Sequence, residues 1–424
     1  MLSNRAKLNT IAVSAYAMET AINTFQTLDL TLLLALGNVV NLDPRRETNA
    51  DEATGMEEAD LIYDLGNKAG FTLASDKAQP QHFAFLYAYA FGVVASAAAG
   101  TGYQKTITPI TGDLEIGRDL PSFTLGMGYS EIVRRRFASF FVNSITSTFA
   151  KDDWCKISAD LIGTGKMEES ITEESVSAAE NTTTLTLAAN GVAGSTAAAR
   201  LESVHEVRVE LSTGVWTQVE VTAVSSATPA ELTITAPGVG TDTRTYKVLY
   251  APTAETWMTF PARVTETALR VSEIEFNIGG SWTGSAFSGG RDLGAEINSI
   301  EHKISNNGAC EFAPGAGGAY ASRFVREDRE QTLSLDLEFR NFILANLASQ
   351  NEYFGARILA SGAEYDTGHN YEVEMIFPKL GVLKHTLAVN GKKLGEAGDL
   401  HVLQHDTYGS VIVRVKNLAA NYAA

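Results

Sequence analysis

The clearest regularity in the chain is a two-residue alternation of apolar and polar side chains. In Thr332–Arg340, Leu333, Leu335, Leu337 and Phe339 fall on one side and Ser334, Asp336 and Glu338 on the other, the period of an extended strand. Tyr371, Val373, Met375 and Phe377 alternate with Glu372 and Glu374, and Cys155, Ile157, Ala159 and Leu161 with Lys156, Ser158 and Asp160. Such strands have one dry face and one wet face, as in antiparallel sheets. Burying one Leu-sized side chain is worth roughly 1.5–3 kcal/mol, so the dry faces need a cover. Two short apolar segments supply it as predicted helices: Gln81–Phe91, led by Pro80 where a missing N–H costs little, and Asn341–Ala348.

The same patterning divides the chain into three zones. Residues 1–166 and 257–424 are rich in aromatic and branched apolar residues, and they share an order of elements. Each has a polar or Gly-rich stretch, a strand, a helix and then further strands. In the first flank the strands are Ala69–Ser75, Ser122–Tyr129, Phe137–Phe149 and Trp154–Ile162; in the second they are Thr332–Arg340, Tyr353–Ala360, Tyr371–Phe377, Val382–Val389 and Val411–Val415. Residues 167–256 are dominated by Thr, Ser, Ala, Val and Glu. Their short strands, about ten residues apart and separated by NG, STG and PG turns, predict an inserted Ig-like β-sandwich. The expected fold class is mainly β with short helices (α+β).

Composition narrows the function classes. The 424 residues are 45% hydrophobic and 20% charged, a globular balance. A formal charge of −17 repels phosphate backbones, which argues against a basic nucleic-acid groove but not against DNA passing without adhering. Cys155 and Cys310 form no C-x-x-C pair and read as reduced, buried thiols. The segment MLSNRAKLNTIAV lacks the pattern of a signal peptide. Leu28–Val40 is too short to span a bilayer, and Phe83–Ala99 breaks at Gly92 without flanking Lys or Arg clusters. A soluble chain with a buried helix is expected, without membrane contact.

No catalytic constellation is visible. Only His401 and His405, in HVLQH, are closely spaced among the histidines, and they lack the Glu and the helical context of a zinc protease. There is no G-x-S-x-G elbow, and GTGYQK lacks the ending of a phosphate loop. Glu57–Glu58 and Asp152–Asp153 are adjacent doublets whose side chains diverge on a strand. Arg134, Arg135 and Arg136 form the one basic cluster, expected to meet a neighbouring subunit's carboxylates. No catalytic residue, metal ligand or cofactor is assigned.

Four segments carry a family likeness: DEATGMEEADLIYDLGNKAGFTL, KAQPQHFAFLYAYAFG, GTGYQKTITPI and PSFTLGMGYS…DWCKISADLIGTGK. Over most of residues 45–166, and more faintly over 257–424, the chain resembles the longer tail tube proteins of tailed phages. The resemblance implies a tube fold of β-sandwich or barrel type, duplicated in 1–166 and 257–424, with 167–256 as a decoration. It implies a structural virion protein of the tail, assembled in the host cytoplasm as hexameric rings or trimeric rings of doubled subunits. Such rings stack into a conduit for DNA ejection and join other tail proteins. On this reading Asp336, Glu338, Glu372 and Glu374 are candidates for the lumen. The segment Asn41–Glu58, with Asp43, Arg45, Arg46, Glu47, Asp51, Glu52, Glu57 and Glu58, is the candidate ring-stacking loop. The rival readings are an extracellular β-domain adhesin or surface-layer protein, and a polysaccharide-degrading virion enzyme.

Overall fold

Glu330–Glu338 is a strand that buries Leu333, Leu335 and Leu337 and leaves Ser334, Asp336 and Glu338 half-buried on its other face. Lys156–Gly163 likewise buries Ile157, Ala159 and Leu161. The computed structural model describes residues 5–53, 57–129, 133–253, 255–264, 266–314, 318–390 and 393–424. Within them the chain is mainly β, with three α-helices.

The chain divides into two units. One comprises Met1–Thr10, Gly126–Arg136 and Met167–Phe260; the other comprises Ile11–Leu125, Phe137–Lys166 and Pro261–Ala424. In the first unit, strands Thr172–Ala179, Thr243–Tyr250, Val204–Ser212 and Val215–Gln218 form one sheet, and Thr184–Thr186, Glu231–Ile234 and Val221–Val224 a second. Leu185, Leu232 and Ile234 of the small sheet and Val207, Tyr246 and Val248 of the larger share one buried core. This unit also takes in residues 1–10 and 126–136, which the patterning alone assigned to the first flank.

The second unit holds both flanks together. Its strands include β1 (Asn41–Thr48), β2 (Ile62–Ser75), β3 (to Ala150, from Val133 in the first unit), β4 (Lys156–Gly163), β5 (Ile297–Ser305), β6 (Glu330–Glu338), β7 (His369–Asn390) and β8 (Lys393–Val402). They pair antiparallel in the row β1-β2-β4-β3-β5-β6-β8-β7. That row is one four-strand arrangement used twice, β1-β2-β4-β3 and then β5-β6-β8-β7.

The repetition holds at the level of register. Val142 pairs with Leu161 and Ser144 with Asp160, with an irregularity between them on β3. Val382 pairs with Leu400 and Lys384 with Asp399, with the same irregularity on β7. Thr72 Oγ1 on β2 donates to Asp160 Oδ1 at 2.9 Å, and Ser334 Oγ on β6 donates to Asp399 Oδ1 at 2.8 Å. One hydrogen bond thus recurs at equivalent places in two segments with little sequence in common.

A helix follows the second strand of each repeat. Helix α1 (Pro80–Phe91) buries every residue, the property of a helix that is apolar all round. Phe85 and Tyr89 meet Phe123 edge to face at 4.9 and 5.0 Å, and Phe83 stacks on Phe149 at 6.3 Å. Gly92 ends it with φ 86°, a left-handed cap that glycine adopts without a Cβ penalty. Helix α2 (Ile343–Gln350) is shorter and buries only Leu344. The apolar stretch Phe83–Ala99 therefore splits into α1 and the strand Gly92–Ala99. Among the described residues no helix is long and apolar enough to cross a membrane.

Candidate assembly surfaces

The expected contact loop is an ordered β-hairpin. β1 runs through the charged sequence NLDPRRET and pairs with β2, which begins at Ile62 rather than at the expected Ala69. The tip is fastened by Asn49, which is 3% exposed; its Nδ2 donates to Asp60 Oδ1 at 2.7 Å and its Oδ1 accepts from the Asp60 and Leu61 amides at 3.2 Å. The base is held by Phe312, whose ring lies under Arg45 (5.6 Å) and Lys68 (5.7 Å), and by the Asn67 amide, which donates to the Ala319 carbonyl at 2.9 Å. Gly66 sits there with φ 95°, against the backbone of Gly318, where a Cβ has no room. Asp43, Arg45, Arg46, Glu47, Asp51, Glu52, Glu57 and Glu58 are all exposed on this arm, while Thr54–Met56 fall outside the described residues. Leu61, Ile62, Tyr63 and Leu65 are 53%, 69%, 42% and 41% exposed. Patterning missed this apolar group because it sits among carboxylates, and both faces of the hairpin stand clear.

The two ends of the strand row are the second surface. Among the described residues β1 has register partners only in β2, and Gly381–Asn390 of β7 only in β8. An unpaired edge is a template for another strand. Leu383, Leu387 and Val389 on the β7 edge are 68%, 49% and 76% exposed, whereas Ser147 and Phe149, which hold the equivalent places of Leu387 and Val389 on β3, are 0% and 1% exposed. On β3 that face lies under α1, with Phe83 stacked on Phe149 and Tyr87 Oη 3.0 Å from Ser147 Oγ, while β5 pairs the edge from Ser144 to Ala150. Among the described residues the Gly381–Asn390 stretch of β7 has no strand on that edge.

The proposed lumen residues fall into two groups. Asp336 and Glu338 lie on the wet face of β6 with Ser334, and Glu338 is held by Lys393 (2.8 Å), Arg340 (3.0 Å) and Lys151 (3.6 Å). The hydrogen bonds from Lys393 and Arg340 draw its carboxyl down to about 2. Glu372 and Glu374 lie where β7 pairs with Phe354–Asp366 and Ile412–Asn417; Glu374 is bound by Arg357 (2.7 Å) and Arg414 (3.5 Å), and Glu372 by Lys416 (2.6 Å). Glu338, Glu372 and Glu374 are thus neutralised by cations of their own chain, whereas Asp336 accepts a 3.4 Å hydrogen bond from Asn298 Nδ2. The anionic character of the wet face comes from Asp336 together with Asp160, Glu301 and Asp399, with Lys303 among them.

The basic cluster has partners within the chain. Arg135 and Arg136 pair with Glu169 and Glu168 of their own chain, because Met167–Glu169 lies beside the start of β3. Arg136 also lies 4.8 Å from the centre of the Trp257 ring, and Arg134 5.8 Å from that of Phe260. These contacts hold Arg135 and Arg136 to residues of the first unit, while Arg134 is exposed.

Chemistry-bearing groups do not converge. Among the described residues no group of three or more His, Cys, Asp or Glu side chains is placed to hold a metal. Cys155 and Cys310 are buried and unpaired, and burial pushes both thiols up to about 12. A cavity of ≈ 700 Å³ beside the β3–β4 turn is lined by Asp152, Asp153, Trp154, Arg270 and Asp292. Lys77 and Arg270 crowd the Trp154 ring at 5.7 and 5.1 Å, and Asp153 is committed to Lys156 at 2.6 Å, which lowers its pKa. A general acid needs the opposite shift. No protein-family model and no curated protein matches this chain, so the functional reading rests on these surfaces.

Proposed function

We propose that the chain is a structural subunit that assembles with itself, copies pairing edge to edge into closed rings and rings stacking into a hollow tube of the phage-tail type, through which DNA passes without specific binding. The observation that carries this reading is the β3–β5 junction, which joins two like four-strand units within one chain and leaves the same two kinds of edge free at the ends. Each free edge is the counterpart of one already paired inside the chain. A head-to-tail interface whose rotation closes gives a ring, and closure abolishes edges that are otherwise a hazard to a soluble protein. The exposed apolar arm supplies a separate contact for stacking. Negative-stain microscopy and light scattering of the purified full chain test the reading. Rings or tubes of uniform bore are expected as concentration rises, and a strictly monomeric protein throughout the range removes it.

A further inference from the structure

We infer that the lateral contact between copies has a defined register, in which Lys384 of one copy stands directly opposite Asp43 of the next. The inference rests on the self-assembly reading above, and it comes from the internal junction used as a template. There, Ser144 of β3 faces Ser305 of β5, Ile145 faces Ile304, Thr146 faces Lys303, and the ladder runs on to Ala150 against Ser299. The repeated registers fix the equivalents on both sides. On β7, Lys384 takes the place of Ser144, since both follow the same irregularity and face Asp399 and Asp160 respectively.

On β1, Asp43 takes the place of Ser305. Asp43 faces Lys68 and Ser305 faces Glu330, each just before a register irregularity: the first lies between Pro44 and Arg46, and the second precedes the pairing of Gly308 with Arg326. The two arms match beyond that point as well. β1 continues as one strand where β5 is followed by Gly308–Glu311, and β2 runs through the place of Arg323–Arg326.

Carried across, the template sets Lys384, His385 and Thr386 against Asp43, Leu42 and Asn41. Lys384 and Asp43 are both exposed, and opposite charges face each other on the wet side of the ladder. On the dry side, Leu387 comes beside Val40, which is already buried, and the 76% exposed Val389 gains cover. A slip of one residue turns every one of these side chains to the wrong face. The occupant of the β7 edge is therefore a second copy of this chain, entering through β1.

A cysteine scan tests the register. Lys384→Cys is combined in turn with Asn41→Cys, Leu42→Cys, Asp43→Cys, Pro44→Cys and Arg45→Cys in the full-length protein, and each variant is oxidised and run on a non-reducing gel. Cys155 and Cys310 are buried and do not compete. The expected result is an intermolecular ladder strongest with Asp43→Cys and sharply weaker one residue to either side. A maximum at another position, in a protein that still forms rings, overturns the register and leaves the assembly reading intact. Monomers with an intrachain disulfide, or no oligomer by light scattering, overturn both.

Discussion

Glu266 is 4% exposed, and its Oε2 accepts a 2.7 Å hydrogen bond from the Gln81 amide in the first turn of α1. An anion there complements the helix N-terminus, yet burial outweighs that gain and pushes the carboxyl up to about 7 from its ordinary value of 4.5. Lys105, whose Nζ bonds the Asn417 side chain, is driven the other way by burial, down to about 8. The sign for Glu266 follows from linkage. A raised folded-state pKa contributes stability that is fully present below pH 4.5 and is lost as pH rises through about 7. Glu266→Gln keeps an acceptor for the Gln81 amide and removes the titration. The variant is expected to gain on the wild type by about 3 kcal/mol between pH 4 and pH 8, measured by denaturant unfolding at each pH. A constant difference across that range would show that the carboxyl does not titrate there. None of this is legible in the sequence, where Glu266 and Lys105 look like solvated charges in an acidic chain.

At the scale of elements, what was legible is what alternation marks. β6 and β4 show their faces in the sequence because every second residue is apolar over most of their length. β1 was invisible as a strand, since NLDPRRET carries four charges and a proline, and its pairing comes from β2 rather than from burial. β7 is one strand where alternation marks two, Tyr371–Phe377 and Val382–Val389, with Pro378 between them. The proline is tolerated where the ladder to Phe354–Asp366 is already irregular, between Phe354 and Ala356, so little pairing is lost. The hairpin of β1 and β2 carries a prediction of its own. A two-stranded hairpin is marginal by itself, and this one holds Ile62 and Leu65 in solvent at 69% and 41% exposure. Ile62→Asp with Leu65→Asp should change unfolding free energy by no more than about 0.5 kcal/mol, as surface changes do. On the proposed function the variant still forms rings and no longer stacks them. Tubes of wild-type length in electron micrographs would show that the arm is not the axial contact.

At the scale of the whole molecule, two kinds of stability are involved. The residues between Thr172 and Tyr250 have their own core, centred on Val209, Leu232, Tyr246 and Val248. The strand row that bears both free edges draws cover from α1 instead, through contacts such as Phe83 on Phe149. Thr172 and Tyr250 are direct partners on adjacent antiparallel strands, so the chain leaves and re-enters this segment at nearly one point, about 5 Å across. A segment with its own core and adjacent ends can be excised without stretching what remains. Replacing residues 172–250 by a short Gly-Ser linker is therefore expected to leave the remaining chain folded, with unchanged near-ultraviolet dichroism from the α1 aromatics. If the edges of β1 and β7 carry assembly, the shortened chain also forms rings of the same bore. A shortened chain that keeps its near-ultraviolet signal and stays monomeric would move the assembly contact into the excised segment, against the edge-pairing proposal. Loss of both signal and rings would instead show that the segment is required for the rest to fold, in conflict with the separate core just described.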